Sequence, residues 1–386
     1  MTSLLKKCKK CGLPETYETI EFNGKGICNI CVGADYKKER IDWVERKKML
    51  DALIESHRGK AEYDCIIPFS GGKDSTWTLH YLVKEYNLKP LVIQFDHGFM
   101  RPNLLANNQR IFKKLGVAHM TFTPSWSLVK KVMLEALIRK GDFCWHCHTG
   151  IFSYPMRVAL MHKVPLVLWG EPSSDYTAYY DYQDDEIESV DEERFNKFVN
   201  LGISADDMLG MIDKHNDIDE RDLLPFKYPP IRELKQLRYN SVCLGSYIPW
   251  DPRVQSKIIA DELGWQGDQV EGMPPGLYDY EKIECHMQGV RDYIKYLKRG
   301  YSRVSQMVAL DIRAGRMDSE EAARLVAQHE GKRPASLEVF LEYVGISEAE
   351  FNEYVMQTVI APHKPDFASM LTGVKNHDFD SMYREI

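Results

Sequence analysis

From about residue 62 the chain alternates short apolar runs with longer amphipathic ones. "DCIIPF", "PLVIQFD", "HMTFT" and "VPLVLWGE" read as strands. Between them, "KDSTWTLHYLVKEYN", "PNLLANNQRIFKKLG", "WSLVKKVMLEALIRKG" and a run beginning near Tyr154 read as helices. Short apolar runs bounded by turns suit strands covered on both faces, and the longer runs carry helical periodicity. The alternation predicts βαβ units and an α/β fold, a doubly wound, mostly parallel sheet. Such sheets hold ligands at the carboxyl ends of their strands. Three segments of unusual composition fall there: Ser70–Ser75, Asp96–Gly98 and Glu171–Asp175.

The flanks differ. Residues 1–35 are punctuated by cysteine and poor in apolar residues. Residues 36–60 place Ile41, Val44, Met49, Leu50, Leu53 and Ile54 at helical spacing, which predicts one linking helix ending near Gly59. Within a sheet domain at 61–260, the stretch near 176–240 is tyrosine-rich and then acidic ("YDYQDDEIESVDEERF"), as expected of a solvated insertion. Residues 261–386 read as helical. Val290, Tyr293, Ile294 and Leu297 share one face, as do Leu337, Phe340, Leu341 and Val344. Ser347 and Glu350 have the spacing of a capping box.

Composition narrows the class. The 386 residues are 44% hydrophobic and 28% charged, as in an ordinary soluble globular protein. No apolar run approaches the ~18–20 residues of a membrane span. The start, "MTSLLKKCKKCG", lacks a secretory h-region. A cytoplasmic protein without membrane insertion is expected. The net charge of −7 comes with only short basic spots, "KKCKK" and "KYLKRGYSR", so no nucleic-acid partner is expected. A few cations in one cleft would still suit a small anionic substrate. The nine cysteines read as metal ligands, catalytic groups or buried thiols rather than disulfides.

"SGGKDS" follows a strand and opens a helix. Gly71 and Gly72 permit unusual dihedrals and close ligand approach. Amides at a helix start attract anions; Ser70 and Ser75 add hydroxyls and Lys73 a charge. Asp74 would repel phosphate unless it holds Mg2+ that bridges to it. The spacing is not that of a Walker loop, G-x-x-x-x-G-K-[ST]. Cys8-x2-Cys11 and Cys28-x2-Cys31, sixteen residues apart, form two hooks with zinc-ribbon spacing. Four thiolates close a tetrahedron, so Zn2+ there is structural, and its binding supplies folding free energy to a segment without a core. "FCWHCHTG" adds Cys144, His146, Cys147 and His148, and Cys243 is a candidate to join them in a second metal or cluster site. A pocket role or plain burial are the other readings. Cys65 and Cys285 read as core.

The loop resembles the PP-loop, S-G-G-x-D-S, of the N-type ATP pyrophosphatases, and all six positions from Ser70 to Ser75 match. That resemblance implies ATP cleaved between its α- and β-phosphates, with Lys73 and Asp74 at the chemistry and Mg2+ on Asp74. It implies a nucleotide contact for Asp96, and metal or substrate contacts for Glu171 and Asp175. Taken with the ribbon, "FCWHCHTG", "LWGEPSSDY" and "YIKYLKRGYSR", nearly the whole chain resembles the WbpG-type N-acetyl sugar amidotransferases of surface-polysaccharide (lipopolysaccharide O-antigen) synthesis. The implied reaction turns an acetamido group of a nucleotide-linked sugar, such as a UDP-diacetamido uronic acid, into an acetamidino group. The implied ammonia source is a glutaminase partner with a (β/α)8-barrel subunit; no glutaminase nucleophile motif is evident in this chain. The alternatives are a tRNA 2-thiolation enzyme and a non-enzymatic adenine-nucleotide sensor. The first shares the three CxxC pairs, and it raises an iron–sulfur cluster at Cys144 and Cys147, which is not the favoured reading. Against it stand the charge, the acidic 184–193 segment and the lack of a second C-terminal CxxC pair. Against the sensor stands Asp74.

Overall fold

The computed structural model describes residues 5–173, 176, 187–212 and 218–365. Asp175 and the tyrosine-rich, acidic run at 177–186 lie outside them. Five parallel strands form one sheet: β1 (Cys65–Pro68), β2 (Pro90–Phe95), β3 (Ala118–Phe122), β4 (Leu166–Trp169) and β5 (Asn240–Cys243). Their order is β3-β2-β1-β4-β5. Ile66 pairs with Leu91 on one side and Val167 on the other. The expected doubly wound α/β sheet is therefore present. β5 was not anticipated, because "NSVC" is short and half polar, and only its pairing with β4 defines it.

Helices α1 (Asn29–Arg40), α2 (Trp43–His57), α3 (Lys73–Tyr86), α4 (Pro102–Leu115), α5 (Trp126–Lys140) and α6 (Trp145–Met161) run through the first half. The single turn α7 (Glu192–Arg194), then α8 (Ala205–Met211), α9 (Ile231–Leu237) and α10 (Pro252–Leu263) follow. Adjacent strand residues point to opposite faces. Ile67 accordingly packs with Leu79 of α3, Leu104 of α4 and Ile259 of α10. Ile66 packs with Met156 and Ala159 of α6 on the other face. β3 is an edge strand with largely exposed side chains.

Two expectations change. The linking helix is two helices: Ile41 ends α1, and the Asp42 side chain accepts from the amides of Val44 and Glu45 to start α2. Leu50 and Ile54 are buried, but Val44 and Met49 are exposed, because α2 offers only a narrow stripe to the core. The described part of the expected insertion is packed rather than solvated. Ile203, Met208, Ile212 and Phe226 share a core with Phe95 and Trp145.

The C-terminal helices are α11 (Gln288–Arg299), α12 (Arg303–Arg313), α13 (Ser319–His329), α14 (Ser336–Val344) and α15 (Glu348–Met356). The two predicted apolar faces meet, Val290, Tyr293, Ile294 and Leu297 against Leu337, Phe340, Leu341 and Val344. The Ser347–Glu350 capping box is formed. The cysteine-rich N-terminal segment packs on these helices, where its buried residues share a core with Tyr301 and Ala309. The Arg299 guanidinium donates to the Thr16 carbonyl at 2.7 Å, and Gln306 Nε2 donates to the Tyr17 hydroxyl at 2.9 Å. Among the described residues, no helix is long and apolar enough to cross a membrane.

Candidate active site

The strand order reverses between β1 and β4, and "SGGKDS" lies at the end of β1 at that switch point. Phe69 extends the strand by one bond to the Ile93 carbonyl, after which the chain turns. Gly71 has φ +88°, and a Cβ there would lie 2.2 Å from Asn108 Oδ1. The turn is tied from inside. Ser75 Oγ accepts from the amides of Ser70 (3.2 Å) and Gly71 (3.1 Å), and Trp265 Nε1 donates to the Gly71 carbonyl at 3.1 Å. Gly72 begins α3 with no side-chain cap. The first-turn amides of this fourteen-residue helix thus lack helical acceptors and present the positive end of its dipole. The Asn108 amide, packed under Gly71, has no hydrogen-bond partner of its own.

Charge surrounds the loop. Lys73 is buried and bonded to Asp74 at 2.7 Å and Glu281 at 2.6 Å. Glu281 also meets Arg303 at 3.3 Å. Burial opposes ionisation of Glu281, but Lys73 and Arg303 outweigh it and hold the carboxyl at about 2. Burial would also lower Lys73; Asp74 and Glu281 reverse this and raise it well above the usual lysine range. Asp74 goes the other way: burial and the nearby Glu171 outweigh Lys73 and push it up to about 6. Its Oδ1 accepts from Trp250 Nε1 at 3.2 Å. Glu171, at the end of β4, stands 4.0 Å from Lys282. Glu284 rests against the loop, with Oε1 3.4 Å from Ser70 Oγ and 2.0 Å from where a Gly72 Cβ would be. Asp96, at the end of β2, spends its oxygens on the Gly98 amide and the Thr123 hydroxyl, as a strand cap does.

Ser70–Ser75 and Glu171 therefore converge, Asp96 caps the neighbouring strand, and Asp175 lies outside the described residues. Sequence reasoning missed Glu281, Glu284, Trp250 and Asn108. The one local signal was "DYEKIECH", an acidic non-helical stretch that interrupts a helical tail.

The thiols sort into two places. Cys8, Cys11, Cys28 and Cys31 are buried, with sulfurs all within 4.8 Å of one another, a cage that can hold a metal ion. The sulfur separations Cys8–Cys31, 4.0 Å, and Cys11–Cys28, 3.7 Å, match the ~3.8 Å edge of a tetrahedron with ~2.3 Å metal–sulfur bonds. The Cys28 amide donates to Cys8 Sγ at 3.2 Å, as amides do to thiolates. The grouping of Cys243 with Cys144 and Cys147 is wrong. Cys243 ends β5, 3.6 Å from Glu188 and 3.8 Å from Arg194. Cys144 and Cys147 open α6 and pack instead with Cys285, which a bridge between Met100 and Cys285 brings in from the C-terminal segment. Burial pushes all three thiols up. Burial likewise holds His146 down at about 4, so it is neutral.

Comparison with known proteins supplies further findings. Residues 277–369 match the family model described as LPS biosynthesis protein WbpG-like, C-terminal domain. An uncharacterised protein of Methanocaldococcus jannaschii is 26% identical over 167 residues, 42% of this chain. The chain spans 58% of that relative's length. Two solved structures are distant likenesses. NMN synthetase of Francisella tularensis (13% identity, TM-score 0.29) covers 51% of this chain and 93% of its own. The U34-tRNA thiolase NcsA of Methanococcus maripaludis, with its [4Fe-4S] cluster (15% identity, TM-score 0.33), covers 85% and 90%. The segment that carries Glu281, Glu284 and Arg303 to the loop thus lies within the stretch that is similar to the WbpG-like C-terminal domain, in keeping with the resemblance read from the sequence.

Proposed function

We propose that the chain is an ATP-dependent amidotransferase of lipopolysaccharide or related surface-glycan synthesis. The observation that carries this reading is the meeting of S-G-G-K-D-S with Glu281 of the WbpG-like domain across Lys73. The acetamido oxygen of a nucleotide-linked sugar attacks the α-phosphorus of ATP, and the bond to the β-phosphate oxygen breaks, releasing pyrophosphate. The amide oxygen, a poor leaving group, is now adenylated. Ammonia adds to its carbon, AMP departs with that oxygen, and an acetamidine remains. In this scheme the first-turn amides of α3 and the Ser70 hydroxyl bind the phosphates. Lys73, held by two carboxylates, keeps a fixed positive charge beside charge that develops on the departing pyrophosphate. Trp250 orients Asp74.

Asp74 and Glu171 fit Mg2+: both offer carboxylate oxygen, and the high Asp74 carboxyl marks a negative cluster short of positive charge. Bound there, the ion would neutralise phosphate charge. The four-thiol cage suits structural Zn2+. Ammonia comes from a separate glutaminase with a (β/α)8-barrel subunit, and the protein works in the cytoplasm.

The test is nucleotide analysis with α-labelled ATP. AMP and pyrophosphate should form only when a UDP-linked acetamido sugar and ammonium are both supplied. AMP that requires tRNA and a sulfur donor would instead establish the thiolation reading, which the packing of Cys285 with Cys144 and Cys147 favours. Release of ADP would overturn both.

A further inference from the structure

The chain leaves β4 at Trp169, on the edge of the sheet where the phosphate loop lies, and is then tied down. The Ser173 amide donates to Glu188 Oε2 at 2.7 Å. The Tyr176 amide donates to the Ser173 carbonyl at 2.9 Å, which closes a turn. The Tyr176 carbonyl accepts from the Tyr17 hydroxyl at 2.6 Å, across 159 residues of sequence. Tyr17 belongs to the span between the two cysteine hooks.

Tyr17 is held rigidly for that bond. It is 4% exposed, and its ring packs on Tyr301 with centroids 4.8 Å apart. Its oxygen accepts from Gln306 Nε2 at 2.9 Å. Burial pushes the phenol up to about 12, so it stays a neutral O–H donor. Packing alone would be served by phenylalanine. The hydroxyl instead joins the cysteine-rich segment to the turn after β4.

What this bond steadies is Tyr176. Its phenol stands among the charges beside the loop: Lys73, Glu281, Asp74 and Glu171 all act on it, Lys73 most strongly. Lys73 and Arg303 feel it in return. Lys73, Asp74 and Glu281 are buried and bonded to one another. Tyr176 is only half-buried, and among the described residues no group bonds its hydroxyl, so that hydroxyl is open to a ligand. A phosphate oxygen suits it. The place already carries three carboxylates, and a neutral O–H adds a donor to anions without adding charge. A phosphate on the first-turn amides of α3 lies beside Lys73 and Asp74, which belong to that turn, and so among the groups that surround Tyr176.

We propose that Tyr176 is a phosphate-binding residue of the loop site, its phenolic hydrogen donated to a phosphate oxygen of the nucleotide, and that Tyr17 is its positioning residue. The inference rests on the reading of Ser70–Ser75 as a phosphate loop. It adds a donor from the β4 side and gives the cysteine-rich segment a part in the reaction centre.

Isothermal titration calorimetry on the full chain tests it, with magnesium pyrophosphate, α,β-methylene-ATP and adenosine as probes. The wild-type protein should bind the first two. Tyr176→Phe should weaken both by at least roughly tenfold, the loss of a hydrogen bond to a charged group, and leave adenosine unchanged. Tyr17→Phe keeps the ring and its packing; it should weaken both by roughly three- to fivefold, the loss of about one neutral hydrogen bond, with melting curve and metal content reporting an intact fold. Added to Tyr176→Phe, it should weaken neither further, because the hydroxyl it positions is gone. Equal losses from Tyr17→Phe in both backgrounds would mark a merely structural tyrosine and overturn the positioning role. Pyrophosphate binding equal in wild type and Tyr176→Phe overturns the phosphate contact. Weaker adenosine with unchanged pyrophosphate overturns it in favour of a contact to the base. A wild-type protein that binds neither pyrophosphate nor the analogue overturns the phosphate-loop reading and this inference together. None of these outcomes depends on the acceptor, so the sugar-acceptor reading stands or falls separately.

Discussion

Replacing Asp74 by asparagine should make the protein more stable while abolishing AMP formation. Burial and Glu171 hold the Asp74 carboxyl at about 6 rather than 3.8, so folding favours its neutral form. A group raised in this way lends its full stability below pH ~3.8 and loses it as the pH rises through about 6. At pH 8 the ionised Asp74 therefore costs on the order of 3 kcal/mol relative to a neutral side chain. Asparagine removes that cost but offers one oxygen to two donors, Lys73 and Trp250, which returns about 1 kcal/mol. The net gain of about 2 kcal/mol corresponds to roughly 2–3 °C in Tm for a chain of this size. Thermal unfolding in chelator, at pH 8 and again at pH 5, reads the effect. The gain should be present at pH 8 and largely gone at pH 5. A variant that melts at or below the wild-type temperature at pH 8, or that gains equally at both pH values, would refute the account of Asp74 as a strained buried charge.

Three other outcomes follow from the same geometry. Glu281→Gln should destabilise the fold by about 3 kcal/mol near neutral pH, since a carboxyl held at about 2 instead of 4.5 lends stability above pH ~4.5 that disappears as the pH falls through 2; urea titrations at pH 7 and pH 3 should show the gap between variant and wild type narrowing. Gly71→Ala should cost at least ~2 kcal/mol, because φ is +88° and the new Cβ meets Asn108, whereas Gly72→Ala, at φ −68° and facing only the mobile end of Glu284, should cost less than ~1 kcal/mol by the same titration. Stripping the four-thiol cage with a chelator, or Cys28→Ser, should open residues 5–28 to protease and remove about one zinc per chain by elemental analysis.

The sheet was legible because its buried strands are continuous apolar runs and its helices are periodic, and the loop because six residues of fixed type sit between a strand and a helix. β5 was not, since Asn240–Cys243 becomes a strand only by lying beside β4. The cage was legible because both hooks are close in sequence. Cys285 was not, because it reaches Cys144 and Cys147 across the fold, while Cys243, nearer to them in sequence, ends on a strand with other neighbours. Glu281 and Glu284 illustrate the same limit. Nothing in their spacing marks them, and their role arises from 208 residues of separation closing onto Lys73 in the case of Glu281.

On the proposed reading, that separation bears on when the protein could spend ATP. The sheet is complete at Cys243, and the phosphate loop is made far earlier still. Yet the lysine of the loop acquires its second carboxylate only from Glu281, and Glu281 is steadied by Arg303 at the head of α12. The same helix carries Ala309 and Gln306, on which the cysteine-rich N-terminal segment rests. A growing chain with a finished sheet would still carry an unset Lys73, so in the proposed reaction nucleotide turnover would wait for the last third of the polypeptide to close on both the loop and the four-thiol cage. On that reading the fold would tie ATP consumption to the arrival of the segment that sets Lys73, with no separate regulator.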